Sequence, residues 1–236
     1  MSQILSELKG IARKDLLERL MNAEYAFACW RMPKEDKEIL IVSMEPPQQT
    51  GTDVSSLDSG FLINKFSDNH PGKPYLIKAD IIFEGDEVKL DPRVNASVLD
   101  RFESKLKTSR PGPKKSIGPV VKVADTFRAS VMKAIREIRS NTMDKVVLSR
   151  FKEVRLPANF SADLFFKDLT LKYPNAFCNI VFLPSEGLWM GATPELLLSD
   201  NQVSFRTHAL AGTKSLEEGQ SLSEISWTQK EIEEQA

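Results

Sequence analysis

The chain has 236 residues, of which 41% are hydrophobic and 28% charged, and its 32 basic and 33 acidic residues leave a formal net charge of −1. This is ordinary globular composition, sufficient for one large domain or two small ones, and it excludes a predominantly disordered chain. A charge so close to zero provides no global field for nucleic acid or an anionic membrane, so neither is an expected partner.

The cysteine and histidine content limits the possible metal and redox chemistry. Cys29 and Cys178 each lie in an apolar run, which predicts buried free thiols rather than a disulfide. His70 and His208 lack the spacing of a zinc site. The first 24 residues are charged and amphipathic, unlike a signal peptide, and no apolar run is long enough to span a bilayer. We therefore expect a cytoplasmic protein.

The first half of the chain predicts one helix followed by several strands. Apolar residues recur at helical spacing through residues 3–22. Strands are predicted over residues 25–32, 39–44, 60–66 and 75–83. The last of these is expected to form a hairpin with residues 88–90 across the turn at 84–87, which contains Gly85 and Asp86. Strands joined by short turns indicate a mostly antiparallel sheet.

Residues 107–119 read as a surface linker, because they hold three prolines, two glycines and four basic residues. This segment divides the chain into an N-terminal α+β region, residues 1–118, and a second region, residues 119–236. The second region predicts a helix capped by Asp125, a strand over 144–154, a helix over 161–173 and a strand over 176–183. A hairpin from 194–198 to 203–207 follows. The pattern Ser221-Leu-Ser-Glu224 predicts the start of a last helix over 225–236, which has no C-terminal cap.

Two ionisable residues stand in apolar, strand-like surroundings in this second region. Lys145 lies in Asp-Lys-Val-Val-Leu-Ser-Arg, residues 144–150, and Glu195 ends Gly-Ala-Thr-Pro-Glu, residues 191–195. A desolvated lysine can act as a base, and a glutamic acid held protonated by apolar neighbours can act as an acid. The alternatives are a strand-edge lysine that guards against aggregation and a solvated hairpin glutamate.

Four segments in this order resemble the chorismate-utilising enzymes: residues 144–150, residues 191–195, Ala-Leu-Ala-Gly-Thr at 209–213 and Lys-Glu-Ile-Glu-Glu-Gln at 230–235. That group includes isochorismate synthase, salicylate synthase and the chorismate-binding components of anthranilate and aminodeoxychorismate synthases. The resemblance covers residues 119–236 and, more loosely, the region before them. It implies an α+β fold of layered, largely antiparallel sheets with flanking helices, and chorismate as the small-molecule substrate.

The resemblance also implies a role for each candidate residue. Lys145 would activate the water that attacks C2 of chorismate, and Glu195 would protonate the departing 4-hydroxyl. Gly212 and Thr213, with Ala211 before them, would contact a substrate carboxylate through a backbone N–H and a hydroxyl. A plain turn after a strand is the alternative interpretation of that segment.

A magnesium ion is the implied cofactor, because hard oxygen ligands suit it. Glu234 is the position that corresponds to the family's metal ligand, and Glu231 lies three residues earlier, on the same helix face. A solvated pair of surface carboxylates is the alternative. Gln235 stands where the family usually has histidine.

Two positions favour water over ammonia as the nucleophile. Family members that add ammonia generally lack a lysine at the place of Lys145, and aminodeoxychorismate synthases have a lysine where this chain has Ala211. The resemblance is therefore closest to isochorismate synthase, with salicylate synthase next, and no glutamine amidotransferase subunit is expected. Whether the product would enter menaquinone or siderophore biosynthesis stays open.

Family members extend well beyond the last of these motifs and bring further pocket residues, including an arginine and a second metal carboxylate. The resemblance thus implies that this chain is the N-terminal and partial catalytic portion of such an enzyme, apparently truncated and inactive on its own. A non-catalytic binding or assembly fragment of the family is the remaining alternative.

Overall fold

A computed structural model of the chain describes residues 13–51, 53–64, 73–109, 124–150, 152–157, 159–201, 203–208, 210, 214–215 and 219–235. The chain divides into two compact units. The larger unit comprises Met1–Pro111 and Ala162–Ala236, and the smaller one comprises Gly112–Ser161. Each unit is considered by itself below.

The larger unit contains four helices and all the strands described. The helices are α1 (Arg13–Asn22), α2 (Ala96–Thr108), α4 (Ala162–Lys172) and α5 (Gln229–Gln235), and α3 (Ala124–Arg139) belongs to the smaller unit. The strands are β1 (Phe27–Arg31), β2 (Glu38–Val42), β3 (Gln48–Gln49), β4 (Gly60–Ile63), β5 (Tyr75–Lys78), β6 (Ile81–Glu84), β7 (Glu87–Leu90), β8 (Phe177–Leu183), β9 (Gly187–Thr193), β10 (Ser199–Asp200) and β11 (Phe205–Arg206).

A six-stranded sheet in the order β7-β6-β2-β1-β8-β9 organises the larger unit. A three-stranded sheet, β3-β5-β4, and the pair β10-β11 complete the strand pairing. Every strand pair described is antiparallel. The α+β fold with largely antiparallel sheets is therefore confirmed. Strands β1, β2, β6 and β7 of the large sheet precede residue 118, and β8 and β9 follow it. The domain boundary predicted at residue 118 lies outside the described residues.

The two faces of the large sheet are covered by different layers, because alternate residues of a strand point to opposite sides. On one face, Ala28 of β1, Ile41 of β2 and Val181 of β8 pack with Ile77 of the three-stranded sheet. The other face is covered by helices, since α4 contacts both β8 and α1. The largest buried side chains of α1, α2 and α4 are Leu17, Leu20, Phe102 and Phe166. The layered arrangement expected from the sequence is thus observed in this unit.

The two cysteines are buried free thiols, as predicted. Cys29 lies in β1 and Cys178 in β8, and neither is accessible to solvent. They occupy adjacent strands, where Cys29 is opposite Ile180 and Cys178 is opposite Arg31. Both therefore serve as small apolar core residues.

The hairpin predicted around Gly85 is confirmed. Glu84 of β6 is opposite Glu87 of β7, and Gly85 has φ +61°, which a glycine adopts at little cost in such a turn. The single strand predicted over residues 75–83, however, is wrong. It divides into β5 and β6, which belong to different sheets, and the chain turns at Asp80, whose carboxylate accepts the Met44 N–H at 2.7 Å.

The strand predicted over residues 144–154 is also wrong for the residues described there. Residues 144–150 and 152–154 form neither strand nor helix. The β-forming side chains of this run remain exposed, and Val147 is 84% exposed. A strand forms only when it pairs with a second strand, and this segment forms no strand pair with any residue described.

The remaining expectations differ mainly at element ends. Helix α1 covers the second half of the helix predicted over 3–22, and the earlier residues lie outside the described part. Of the predicted linker, Lys107 and Thr108 belong to α2, and residues 110–119 are not among those described. Among the helices described, none has both the length and the apolar composition that a membrane span requires.

Candidate functional site

Glu195 lies directly after the edge strand of the large sheet. Strand β9 ends at Thr193, and Pro194, which has no N–H to donate, begins the exit from the sheet. The Glu195 N–H then bonds the Thr193 hydroxyl at 3.1 Å, so a local side-chain turn fixes the backbone of the glutamate. Its side chain is exposed.

The residues after Glu195 form a short hairpin that holds this segment in place. The Leu196 carbonyl accepts the N–H of His208 at 2.9 Å, and the Leu197 carbonyl accepts the Thr207 hydroxyl at 2.6 Å. A hairpin is present here as predicted, but its paired strands are β10 and β11, so the first strand predicted over residues 194–198 is wrong. The leucine after Leu196 does not enclose the glutamate, because Leu197 is 87% exposed. The apolar site that would keep Glu195 protonated remains a prediction.

Lys145 lies in the smaller unit, six residues after the end of α3 at Arg139. Its side chain is exposed, like those of Val146 and Leu148. Nearby in the same unit, the Arg150 guanidinium lies 5.4 Å from the ring centre of Phe127, a cation–π contact between the motif and α3. The structure thus places Lys145 and Glu195 in different units, and the desolvation of Lys145 stays a prediction.

The predicted carboxylate-contact residues Ala211, Gly212 and Thr213 lie outside the described residues. Their described neighbour Lys214 forms an ion pair of 3.4 Å with Glu231. This contact joins the residue after the Ala-Leu-Ala-Gly-Thr motif to the start of α5. The structure therefore brings one predicted metal residue close to the chain that follows the predicted substrate-binding motif.

Glu231 acts as a helix cap in the structure. Its carboxylate accepts the backbone N–H of Thr228 at 2.8 Å and the Thr228 hydroxyl at 2.9 Å, which is one half of a capping box. The Glu231 N–H returns a long bond of 3.4 Å to the Thr228 hydroxyl. The pKa of Glu231 is lowered chiefly by the backbone hydrogen bond from Thr228, and further by the Thr228 hydroxyl and the Lys214 ammonium. Glu231 is therefore ionised at neutral pH.

This capping box was not recognised in the sequence, although Thr228-Gln-Lys-Glu231 carries its signature. The upstream pattern at Ser221 makes a similar contact, in which Glu224 accepts the Ser221 N–H at 2.8 Å. That turn, however, is a single 3₁₀ turn over Leu222–Glu224. The last helix consequently starts at Gln229 and not at residue 225.

Of the two residues predicted to hold magnesium, the structure describes the side chain of Glu231 but not that of Glu234. The Glu234 backbone belongs to α5, and its side chain is outside what the structure describes. Glu231 is engaged by Thr228 and Lys214. No cluster of three or more metal-ligating side chains occurs among the residues described.

Comparison with known families identifies the class of protein. The profile of the family described as "Chorismate binding enzyme" matches residues 61–235, which is most of the chain and includes every candidate residue discussed above. This chain belongs to the chorismate binding enzymes, and chorismate is accordingly its expected small-molecule substrate. No curated protein and no solved structure matches it.

Proposed function

We propose that this protein is an isochorismate synthase, which converts chorismate into isochorismate by adding water at C2 and releasing the 4-hydroxyl. Family membership supports chorismate as the substrate. The choice of reaction depends on one observation, the lysine at position 145, where family members that add ammonia generally have none. Ala211 supports the same choice, because aminodeoxychorismate synthases have a lysine there.

The proposed chemistry is a concerted replacement of one hydroxyl by another. Lys145 takes a proton from water, the water oxygen bonds to C2, and the ring double bonds shift. Glu195 gives its proton to the 4-hydroxyl, which leaves as water. One water enters and one leaves, so the reaction is an isomerisation. Both residues then exchange protons with solvent to begin again.

The two residues need opposite environments for this reaction. A lysine is a useful base at neutral pH only when desolvation or positive charge favours its neutral form, and a glutamic acid needs an apolar site to retain its proton. The Thr193 turn and the β10-β11 hairpin hold the backbone that carries Glu195. We therefore infer that bound chorismate supplies part of the burial that both side chains require.

Gly212 and Thr213 are proposed to bind a substrate carboxylate, with Ala211 leaving room before them. Glu234 is proposed to hold Mg²⁺, since a carboxylate is the hard oxygen ligand that this ion prefers. The ion would neutralise and orient the ring carboxylate of chorismate. Glu231 is assigned a lesser part, because its carboxylate already caps α5 and pairs with Lys214.

Product analysis tests the proposed reaction. The natural polypeptide encoded by the gene is incubated with chorismate and Mg²⁺, with and without ammonium, and the products are separated by chromatography. Isochorismate alone is the expected product. Salicylate with equimolar pyruvate would identify the salicylate synthase alternative, in which the same first step is followed by loss of pyruvate. Anthranilate or aminodeoxychorismate formed with ammonium would contradict the assignment of Lys145.

A further inference from the structure

A cavity of about 190 Å³ lies in the larger unit, and none of the residues that line it is a candidate residue of the chorismate site. Its wall combines the residues just before β1, the segment just after β2 and one face of α2. It is smaller than the roughly 300–1,000 Å³ of pockets for drug-sized ligands, so it fits a small molecule with a single ring.

The hydroxyl of Tyr25 is an unused polar group in this wall. Tyr25 is only 8% exposed, and its ring is held 4.7 Å from the ring of Phe102 in α2. Its hydroxyl makes no hydrogen bond to any residue that the structure describes. Arg31 Nε is the one fully buried side-chain nitrogen or oxygen without a partner among the described residues, so the Tyr25 hydroxyl is not fully buried, and Tyr25 lines the cavity.

Two cations of α2, Arg101 and Lys105, line the same cavity as Tyr25. Lys105 places its ammonium 5.1 Å from the centre of the Tyr25 ring and donates to the Ala23 carbonyl at 3.3 Å. Arg101, one turn earlier, has no ion-pair partner in the described part of the chain. Burial raises the pKa of the Tyr25 phenol, and the charges of two residues in the cavity wall act in opposite directions, Arg101 lowering this pKa and Glu45 raising it.

The charges in the wall are balanced. Glu24 and Glu45 offset Arg101 and Lys105, so the four side chains sum to zero. A ligand with one carboxylate can pair with Arg101 and accept from Tyr25, whereas a second carboxylate would meet Glu45. The apolar surface that Pro46, Met44 and Val98 contribute is suited to a ring.

We propose that this cavity is a binding site for a small cyclic monocarboxylate, in which Arg101 holds the carboxylate by two parallel hydrogen bonds and the Tyr25 hydroxyl donates a third. The Glu45 side chain excludes dianions, including the dicarboxylate chorismate. This second site is independent of the reaction proposed above, and its test requires no turnover.

Benzoate is the probe, and the chain itself is the sample. We expect benzoate to shift the NMR signals of the Tyr25 ring and the Arg101 guanidinium saturably, with a dissociation constant on the order of 1 mM. Benzamide has the same shape without the charge, and isophthalate adds a second carboxylate to the same ring. Each should bind at least about tenfold more weakly than benzoate, because each loses or opposes the charged pair.

Variants test the assigned residues. Arg101→Gln keeps a good helix former on an exposed face, and Tyr25→Phe keeps the packing on Phe102, so both should fold, as checked by circular dichroism. Arg101→Gln should weaken benzoate binding at least about tenfold and Tyr25→Phe about fivefold. Arg128→Gln, an exposed position on α3, is the matched control and should leave the affinity unchanged.

The proposal would be overturned by failure of benzoate to saturate, or by equal binding of benzamide or isophthalate. An Arg101→Gln chain that is folded and binds benzoate as tightly as the Arg128→Gln control would overturn it equally. Because none of these measurements involves chorismate turnover, their failure leaves the isochorismate synthase proposal untouched, and the converse also holds.

Discussion

The guanidinium of Arg31 donates a hydrogen bond of 2.7 Å to the carbonyl oxygen of Tyr173, 142 residues further along the chain. Arg31 is only 5% exposed, and it also donates to the carbonyls of Pro174 at 3.0 Å and Ala176 at 3.1 Å. These acceptors follow the C-terminal end of α4, where the helix dipole favours a positive charge. The Arg31 side chain of β1 thus stabilises the turn between α4 and β8 through these hydrogen bonds.

Replacement of Arg31 by methionine should destabilise the protein by about 3 kcal/mol, because several buried carbonyl oxygens lose their donor at once. Denaturant unfolding monitored by circular dichroism measures the change. Arg128→Met, at an exposed position of α3, serves as the control and should stay within about 0.5 kcal/mol of the parent. Equal unfolding midpoints for the two variants would show that the Arg31 contacts contribute little.

Two glycines offer a matched test of strand packing. A Cβ on Gly60 would lie 2.3 Å from the Ile77 carbonyl oxygen and 2.8 Å from a methyl carbon of Leu76, which forces β4 away from β5. Gly60→Ala should therefore cost about 2 kcal/mol of unfolding free energy. A Cβ on Gly51 meets nothing within 4 Å, so Gly51→Ala should remain within about 0.5 kcal/mol. Similar melting curves for the two variants would contradict the close approach of β4 and β5.

Asp91 should make stability depend on pH in acid. Its hydrogen bonds with Arg93 lower its pKa from 3.8 to about 2, so the folded state binds that proton less readily than the unfolded chain. The stabilisation that the ionised Asp91 gives the folded state is fully present above its ordinary pKa of 3.8, and it is lost as the pH falls from 3.8 towards about 2. In Asp91→Asn the unfolding midpoint should fall less steeply across that interval.

The midpoint in denaturant, measured at closely spaced pH values, gives the comparison for Asp91. Asp86→Asn, which removes a carboxylate from the exposed turn between β6 and β7, is the control for the loss of one surface charge. Parallel pH profiles for the parent and Asp91→Asn would mean that the contacts between Arg93 and Asp91 do not persist in solution.

The contribution of the capping box to the stability of α5 can be tested by hydrogen exchange at one backbone amide. The Ile232 N–H bonds the Thr228 carbonyl at 3.1 Å, in the first turn of the helix. Thr228→Ala removes the side-chain cap and should accelerate hydrogen exchange of the Ile232 amide about fivefold. Thr228→Ser keeps a capping hydroxyl and should change the rate little. Unaltered exchange in the alanine variant would argue against this helix start.

Lys145 and Glu195 should act on the rate and not on substrate affinity, if they are base and acid. In the natural polypeptide encoded by the gene, Lys145→Ala and Glu195→Gln should each lower kcat for isochorismate formation by about 10²- to 10⁴-fold, with little change in KM. Lys152→Ala removes an exposed lysine seven residues after Lys145 and should leave kcat unchanged. An increase in KM at constant kcat would assign Lys145 to binding.

Local sequence signals predicted local structure well. The hairpin at Gly85 follows from a turn residue between alternating apolar positions, and β1, β2 and β8 follow from short apolar runs. Helix α2 was missed, although its signals were present. Asn95 accepts the Val98 N–H at 3.0 Å as an N-cap, and Leu99, Phe102 and Leu106 form its buried stripe.

Errors arose where the outcome depends on distant partners. Residues 75–83 look continuous in sequence, but only the neighbouring sheets decide that the chain turns at Asp80. Residues 144–154 have strong β preference and no described strand partner. Preference alone does not supply the second strand that a ladder requires.

For the candidate site, the sequence indicated residue types and family but not their surroundings. Glu231 shows why, because its capping role depends on α5 starting two residues upstream, directly after Thr228. The burial of Lys145 and Glu195 likewise depends on tertiary neighbours and on bound substrate, not on flanking valines and leucines.

The pairing of β1 with β8 has a consequence for how the protein is made. Phe27 is opposite Phe182 and Arg31 is opposite Cys178, so the centre of the large sheet joins segments about 150 residues apart in the chain. At roughly 5–20 residues per second, a ribosome would finish β8 about 8–30 s after β1. During that interval β1 has an open edge, and Arg31 lacks the carbonyl acceptors that residues 170–176 later supply. Nascent chains should therefore be most dependent on chaperones until residue 183 has left the ribosome.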